Sequence, residues 1–95
     1  MNEEYIITPA VLEVDVVPSH HLKLRFDNGE ERLFDVRPYL DRGVFQKLRN
    51  PHLFALARVA FGTVTWPGEL DIAPETLYVR STPIMQNEWF GNLEK

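Results

Sequence analysis

Between Thr65 and Tyr78 the chain reads TWPGELDIAPETLY, which places Glu69, Asp71 and Glu75 close in sequence to Trp66 and Tyr78. Two carboxylates held at a set separation can serve as acid and base, and the separation decides the reaction. An enzyme or small-ligand site would use a cleft near Trp66, Asp71 and Tyr78. The same residues also have a purely structural reading. Asp71 caps a helix start, Glu75 favours the positive end of that helix, and Glu69 is a solvated turn residue. No neighbouring residue completes a reaction centre, so the structural reading leads and no catalytic residue is assigned. Trp66 reads as core. It is also a candidate interaction residue, because tryptophan is enriched among binding hot spots.

The other reactive residue types lack the spacing that chemistry requires. His20 and His21 are adjacent, so on a strand they point to opposite faces and do not share a metal ion. His52 falls in the first turn of a helix. The absence of cysteine removes both disulfides and thiolate metal sites. Ser19 and Ser81 sit in no nucleophile elbow. There is no phosphate-binding loop, dinucleotide fingerprint or zinc-finger spacing. No metal and no cofactor are expected. The net charge of −4 disfavours nucleic-acid binding by this chain alone, because phosphate neutralisation needs clustered Lys and Arg. The charge is uneven, however. Residues 1–15 carry Glu3, Glu4, Glu13 and Asp15 and no base, while residues 23–58 hold eight bases against five acids. Such polarity can steer a charged partner.

The elements that position these residues follow from periodicity. Ala10, Leu12, Val14 and Val16 alternate with Glu13 and Asp15, which is strand period. Leu22, Leu24 and Phe26 alternate with Lys23 and Arg25 in the same way. Asn28-Gly29 then marks a hairpin turn. A two-residue turn would bring Glu31 and Asp35 onto the leucine face. One extra turn residue brings Arg32, Phe34 and Val36 there instead, and burying an unpaired charge costs more than shifting a turn. The expectation is a longer turn or bulge at Gly29, with Phe26, Phe34 and Val36 buried and Glu30 and Glu31 exposed.

Val44, Phe45 and Leu48 lie at helical spacing. Asn50-Pro51 signals a second helix start with Asn50 as cap, followed by an apolar stripe of Leu53, Leu56 and Ala57. Arg58–Phe61 and Thr63–Trp66 read as strands joined at Gly62. Pro67-Gly68 suits the centre of a type II turn. One device occurs twice: Asp35-Val36-Arg37-Pro38 and Asp71-Ile72-Ala73-Pro74 both read as helix starts capped by the aspartate.

Ninety-five residues make one domain with a modest core. The fold class is α+β, a small two-layer domain with a mostly antiparallel sheet of about five strands and short helices packed on one face. The single domain spans 1–80 and is followed by a tail, 81–95, that carries Ile84, Trp89 and Phe90. The tail is too apolar for a plain disordered segment, so it is expected to dock. The acidic start, Met1-Asn2-Glu3-Glu4, is unlike a signal or transit peptide, and no apolar run is long enough to span a bilayer. A cytoplasmic protein without a membrane segment is expected.

LKLRFDNGEERLFDVRPYL, followed by VFQKLRNPHLFALARVAFGTVTWPGELDIAPETLY, resembles the bacterial family catalogued as domain of unknown function 2442. The shared features are a Phe-acid-Gly hairpin turn, a Phe-Asp before the helical region, and a Trp-Pro…Asp-x-x-Pro-Glu-x-Leu-Tyr ending. The resemblance implies a small α+β domain with an antiparallel sheet. It implies no established activity and assigns no catalytic residue. Some members add a C-terminal helix-turn-helix, for which the residues after Tyr78 are too few. Members like this one often sit beside a second small family, domain of unknown function 4160. That arrangement implies a toxin–antitoxin pair with this domain on the antitoxin side.

The expected function is therefore a protein-binding module, an antitoxin-like partner of a small protein from the adjacent gene. The alternative is the enzyme or ligand binder at the Trp66–Asp71–Tyr78 cleft. Burying a large aromatic contributes roughly 1.5–3 kcal/mol, so Ile84, Trp89 and Phe90 are also expected to form a homodimer contact.

Overall fold

A computed structural model of the chain describes residues 8–84. The first sheet grows from the hairpin at Gly29. Strand β2 (His21–Phe26) and strand β3 (Glu31–Asp35) pair antiparallel, with Leu22 opposite Phe34 and Leu24 opposite Arg32. The Gly29 N–H donates to the Phe26 carbonyl at 3.0 Å, and the Phe26 N–H donates to the Glu30 carbonyl at 2.9 Å. The turn thus holds the extra residue, and Gly29 takes φ +91°, open to glycine at little cost. Phe26, Phe34 and Val36 are buried in consequence. Glu30 and Glu31 are half-buried rather than exposed. Glu30 is drawn in by partners on another element, and Glu31 lies opposite Arg25.

Strand β1 (Val11–Val17) pairs with β2, but its register shifts between Val11 and Glu13. The bulge at Leu12 breaks the expected alternation. Val11 enters the core, whereas Leu12 is 48% exposed. Val14 and Val16 lie opposite Leu24 and Leu22, on the core side.

Val36 begins a 3-10 turn (Arg37–Tyr39), and a longer 3-10 segment follows (Gly43–Arg49). At about three residues per turn, positions three apart share a face, so Phe45 and Leu48 turn inward while Val44 faces solvent. Helix α1 (Pro51–Phe54) is a single turn. Asn50 is its N-cap, with its side chain accepting the His52 N–H at 2.9 Å. The chain leaves the helix after Phe54, which leaves Leu56 exposed instead of on the apolar stripe.

Strands β4 (Arg58–Ala60), β5 (Thr63–Trp66) and β6 (Leu70–Ile72) form a second antiparallel sheet. Helix α2 (Pro74–Val79) follows, and strand β7 (Thr82–Pro83) returns to pair with β3. The sheet orders are β1-β2-β3-β7 and β4-β5-β6, so the described residues form seven strands in two sheets, where about five in one were expected. The architecture is α+β. The boundary expected at residue 80 falls inside the fold, because Thr82 and Pro83 complete the first sheet and the Ile84 N–H donates to the Glu31 carbonyl at 2.8 Å.

The core takes Val11, Leu22, Leu24, Phe26 and Phe34 from the first sheet, Val36 from the turn after β3, and Val64, Trp66, Leu70 and Ile72 from the second sheet. Leu48, Phe54 and Leu77 close it from the helical segments. The other face of the first sheet is charged. Glu13 and Asp15 on β1 lie opposite Arg25 and Lys23 on β2, and Arg25 lies opposite Glu31 on β3.

Candidate functional site

Arg32 is the one base that the hairpin register carries onto the core side of the first sheet. Its guanidinium, with the side chain 12% exposed, finds partners for each nitrogen. Nε donates to Ser81 Oγ at 2.6 Å, Nη2 to the Ser81 carbonyl at 2.9 Å and Nη1 to Glu30 Oε1 at 2.7 Å. The plane lies over the Tyr78 ring, 4.5 Å from its centroid. The Tyr78 hydroxyl donates to Glu30 Oε2 at 2.9 Å, and Asn28 Nδ2 donates to the same oxygen at 3.2 Å. Phe26 meets the Tyr78 ring edge-on. The arrangement ties the hairpin turn to α2 and to the return into β7. Hydrogen bonds from Arg32 and Tyr78 hold the Glu30 carboxyl below the usual carboxylate range. All of these groups satisfy one another, which describes a structural clamp.

The Trp66–Asp71–Tyr78 cleft is not assembled. Trp66 pairs with Leu70 and points inward, while Asp71 pairs with Thr65 and points to the opposite face of the second sheet. Trp66 is 2% exposed, stacks against Phe54 and donates its indole N–H to the Phe54 carbonyl at 3.0 Å. A side chain so placed offers a partner no surface, which corrects its assignment as an interaction residue. Asp71 is also corrected. Helix α2 starts at Ala73 without a side-chain cap, and Asp71 is an exposed residue of β6. The matching Asp35 does accept the Arg37 N–H at 2.9 Å, and the Arg37 guanidinium grips it as well. Both contacts hold its carboxyl below the ordinary range, the guanidinium more strongly. Asp35 supports the entry to the 3-10 turn, although the N-cap position itself is Val36.

His20 Nε2 donates to the Leu48 carbonyl at 2.9 Å, and His21 Nδ1 donates to the Ser19 carbonyl at 2.9 Å. Among the described residues, no group of three or more His, Asp or Glu stands where it could hold a metal ion, and no helix is long and apolar enough to cross a membrane. Ile84 is half-buried beside β3. Trp89 and Phe90 lie outside the described residues.

The residue that sequence reasoning passed over is Phe61. It sits with Gly62 in the two-residue turn between β4 and β5, both at positive φ (+55° and +74°). That is the geometry of the type I′ hairpin turn, which favours Asn-Gly. A bulky residue at positive φ is an outlier, and this ring is 101% exposed. The signal available in the sequence was an aromatic residue immediately before the turn glycine. The turn is fastened to the first sheet, because the Val11 N–H donates to the Gly62 carbonyl at 2.9 Å. A Cβ on Gly62 would stand 3.2 Å from Ala10 Cβ, a tight contact at a φ of +74° that favours glycine. Phe61 and the exposed Leu12 each neighbour a partner of that hydrogen bond, and Val16 is 39% exposed further along β1. Apolar groups therefore follow one margin of the molecule.

Two antiparallel sheets, short helical segments, an internally satisfied polar clamp and exposed apolar residues along β1 and at the β4–β5 turn define a small α+β domain. The chain belongs to the family described as protein of unknown function (DUF2442), whose pattern matches residues 11–83. Those limits are the first residue of β1 and the last of β7. The hairpin turn and the Leu77-Tyr78 pair, distant in the chain, are the two parts of that span that the Arg32 clamp joins. No curated protein and no solved structure matches the chain.

Proposed function

We propose that the chain is a protein-binding module of the bacterial cytoplasm, antitoxin-like, whose partner is a small protein encoded beside it. Phe61 carries this reading. A fully exposed aromatic ring on a strained turn does nothing for the fold, and strain of this kind concentrates at functional positions. Aromatic anchors of this type dominate protein interfaces. The test is co-expression with the product of the neighbouring gene, followed by affinity purification through the present chain. The wild type is expected to bring the partner down in stoichiometric amount, and Phe61→Asn to lose it. Equal recovery with both chains would remove Phe61 from the contact, and no recovery with either would remove the proposed partner.

A further inference from the structure

The two margins of the first sheet are unlike. At one, β7 is two residues long and contains Pro83, which has no N–H to offer a further strand. At the other, β1 runs for seven residues with no proline within it. The direction of its backbone groups follows from the hydrogen bonds of β2. The Phe26 N–H donates toward β3, and the His20 carbonyl accepts the Val36 N–H on that same side. Even-numbered residues of β2 thus face β3, and Arg25, Lys23 and His21 face β1, where they meet Glu13, Asp15 and Val17. It follows that Val14 and Val16 turn their N–H and C=O groups to the open edge. Among the described residues neither has a backbone partner there, whereas Val11, at the start of the same edge, is paired with Gly62.

Charge selects the occupant. Across the solvent face the strands run acidic, basic, acidic: Glu13 and Asp15, then Lys23 and Arg25, then Glu31 and Asp35. Glu13 already holds Arg25 in a forked pair, with Nη2–Oε2 at 2.8 Å and Nε–Oε1 at 3.1 Å. Asp15 has no ion pair among the described residues. A second copy of β1 laid on this edge would set Glu13 and Asp15 against their own kind, which is unfavourable. A strand with bases on that face and apolar residues on the other would neutralise Asp15 and cover Val14 and Val16. Strand β2 (Leu22-Lys23-Leu24-Arg25-Phe26) already meets those requirements on the inner side of β1.

We propose that the open edge of β1, over Glu13–Val17, takes up an extended segment of a partner protein in which basic and apolar residues alternate, added to the sheet as an extra strand. Backbone pairing at Val14 and Val16 supplies the register, and the acids of β1 select the sequence. Phe61 and Leu12 lie at the end of the same edge and cap the contact. The inference deepens the protein-binding reading, and rests on it only for the existence of a protein partner.

The experiment uses the full chain and two synthetic peptides. One has the alternation of β2, and the other carries Glu in place of its two bases. Titration is followed by calorimetry and by amide hydrogen exchange. The basic peptide is expected to bind saturably and the acidic one not to bind. The Val14 and Val16 amides should become protected only in the presence of the basic peptide. Val16→Pro removes an edge donor that faces away from β2, and should weaken binding about tenfold with little change in melting temperature. Should that variant fold poorly, Asp15→Lys leaves the edge backbone intact and should weaken binding about fivefold, an effect that salt diminishes.

Equal binding of both peptides would overturn the proposal. Protection of Val14 and Val16 in the free protein would do so too, because the edge would then be covered by residues 1–7 or by a second copy. Should the adjacent gene's product be captured through Phe61 while the basic peptide fails to bind, strand addition is wrong and the protein-binding reading stands. Binding of the basic peptide without capture of that product would have the opposite meaning.

Discussion

Phe61→Asn places a residue that tolerates positive φ at a backbone position with φ +55°, and removes a ring that is 101% exposed. The left-handed region costs an ordinary L-residue roughly 1–2 kcal/mol, and asparagine less, because its short polar side chain bonds locally. The ring buries nothing, so its loss forfeits no hydrophobic stabilisation of the fold. The turn partner, Gly62, is unchanged, so the substitution creates the Asn-Gly pair that a type I′ turn prefers. The net expectation is a gain of about 0.5–1 kcal/mol. For a domain of this size that raises the melting temperature by about 2–8 °C. Thermal unfolding followed by circular dichroism measures it directly. Partner affinity should move the other way, by about thirtyfold if Phe61 is an interface anchor. Stability up and binding down is a combination that a core residue cannot give, since truncating a buried phenylalanine costs about 3–5 kcal/mol. A drop in melting temperature of more than about 2 °C, equivalent to a few tenths of a kcal/mol, would show that the ring is covered in solution and would refute the reasoning.

The remaining expectations concern the clamp, the caps and acid. Arg32→Met strips the partners from Ser81 and Glu30, and should lower unfolding stability by about 2 kcal/mol in urea titration; an unchanged midpoint would mean that water replaces the guanidinium without loss. Asn50→Ala should cost about 1 kcal/mol because it removes the cap on the His52 N–H. Asp71→Ala should stay within about 0.5 kcal/mol, as for an exposed residue with no side-chain partner among the described residues, and a larger loss would restore a capping role. The carboxyls of Glu13, Glu30 and Asp35 are all held below their ordinary values, by Arg25, Arg32 and Arg37 respectively. Groups lowered in the folded state contribute stability that is full above their unfolded values, near about 4, and is lost as pH falls through the folded ones. Denaturation midpoints should therefore be flat from about pH 7 to 5 and fall below about pH 4, with a shallower fall in Glu30→Gln. A midpoint that rises on acidification would contradict the pairings.

Signals that act within a few residues determined much of this protein from the sequence. Strand alternation placed β2 and β3, the cost of burying Glu31 beside Leu24 set the hairpin register, and Asn50-Pro51 set the start of α1. These outcomes depend on backbone preferences and near neighbours, which the sequence states directly. Pairing partners distant in the chain decided the rest. The bulge at Leu12 exists because Val11 answers both Phe26 and Gly62, and alternation within β1 alone gives no hint of it. Asp35 and Asp71 begin the same four-residue device, yet Asp35 meets an arginine two residues on, whereas Asp71 faces outward from β6 and has only Ala73, the α2 N-cap, at that position. Arg32 could be placed on the core side by register, but two of its three nitrogens are satisfied by Ser81, on a segment that enters the sheet only after α2. Trp66 could be core or anchor until the Phe54 carbonyl took its N–H. The unpaired edge of β1 and the exposed ring of Phe61 likewise depend on what packs there among the described residues, which only the arrangement of both sheets together decides.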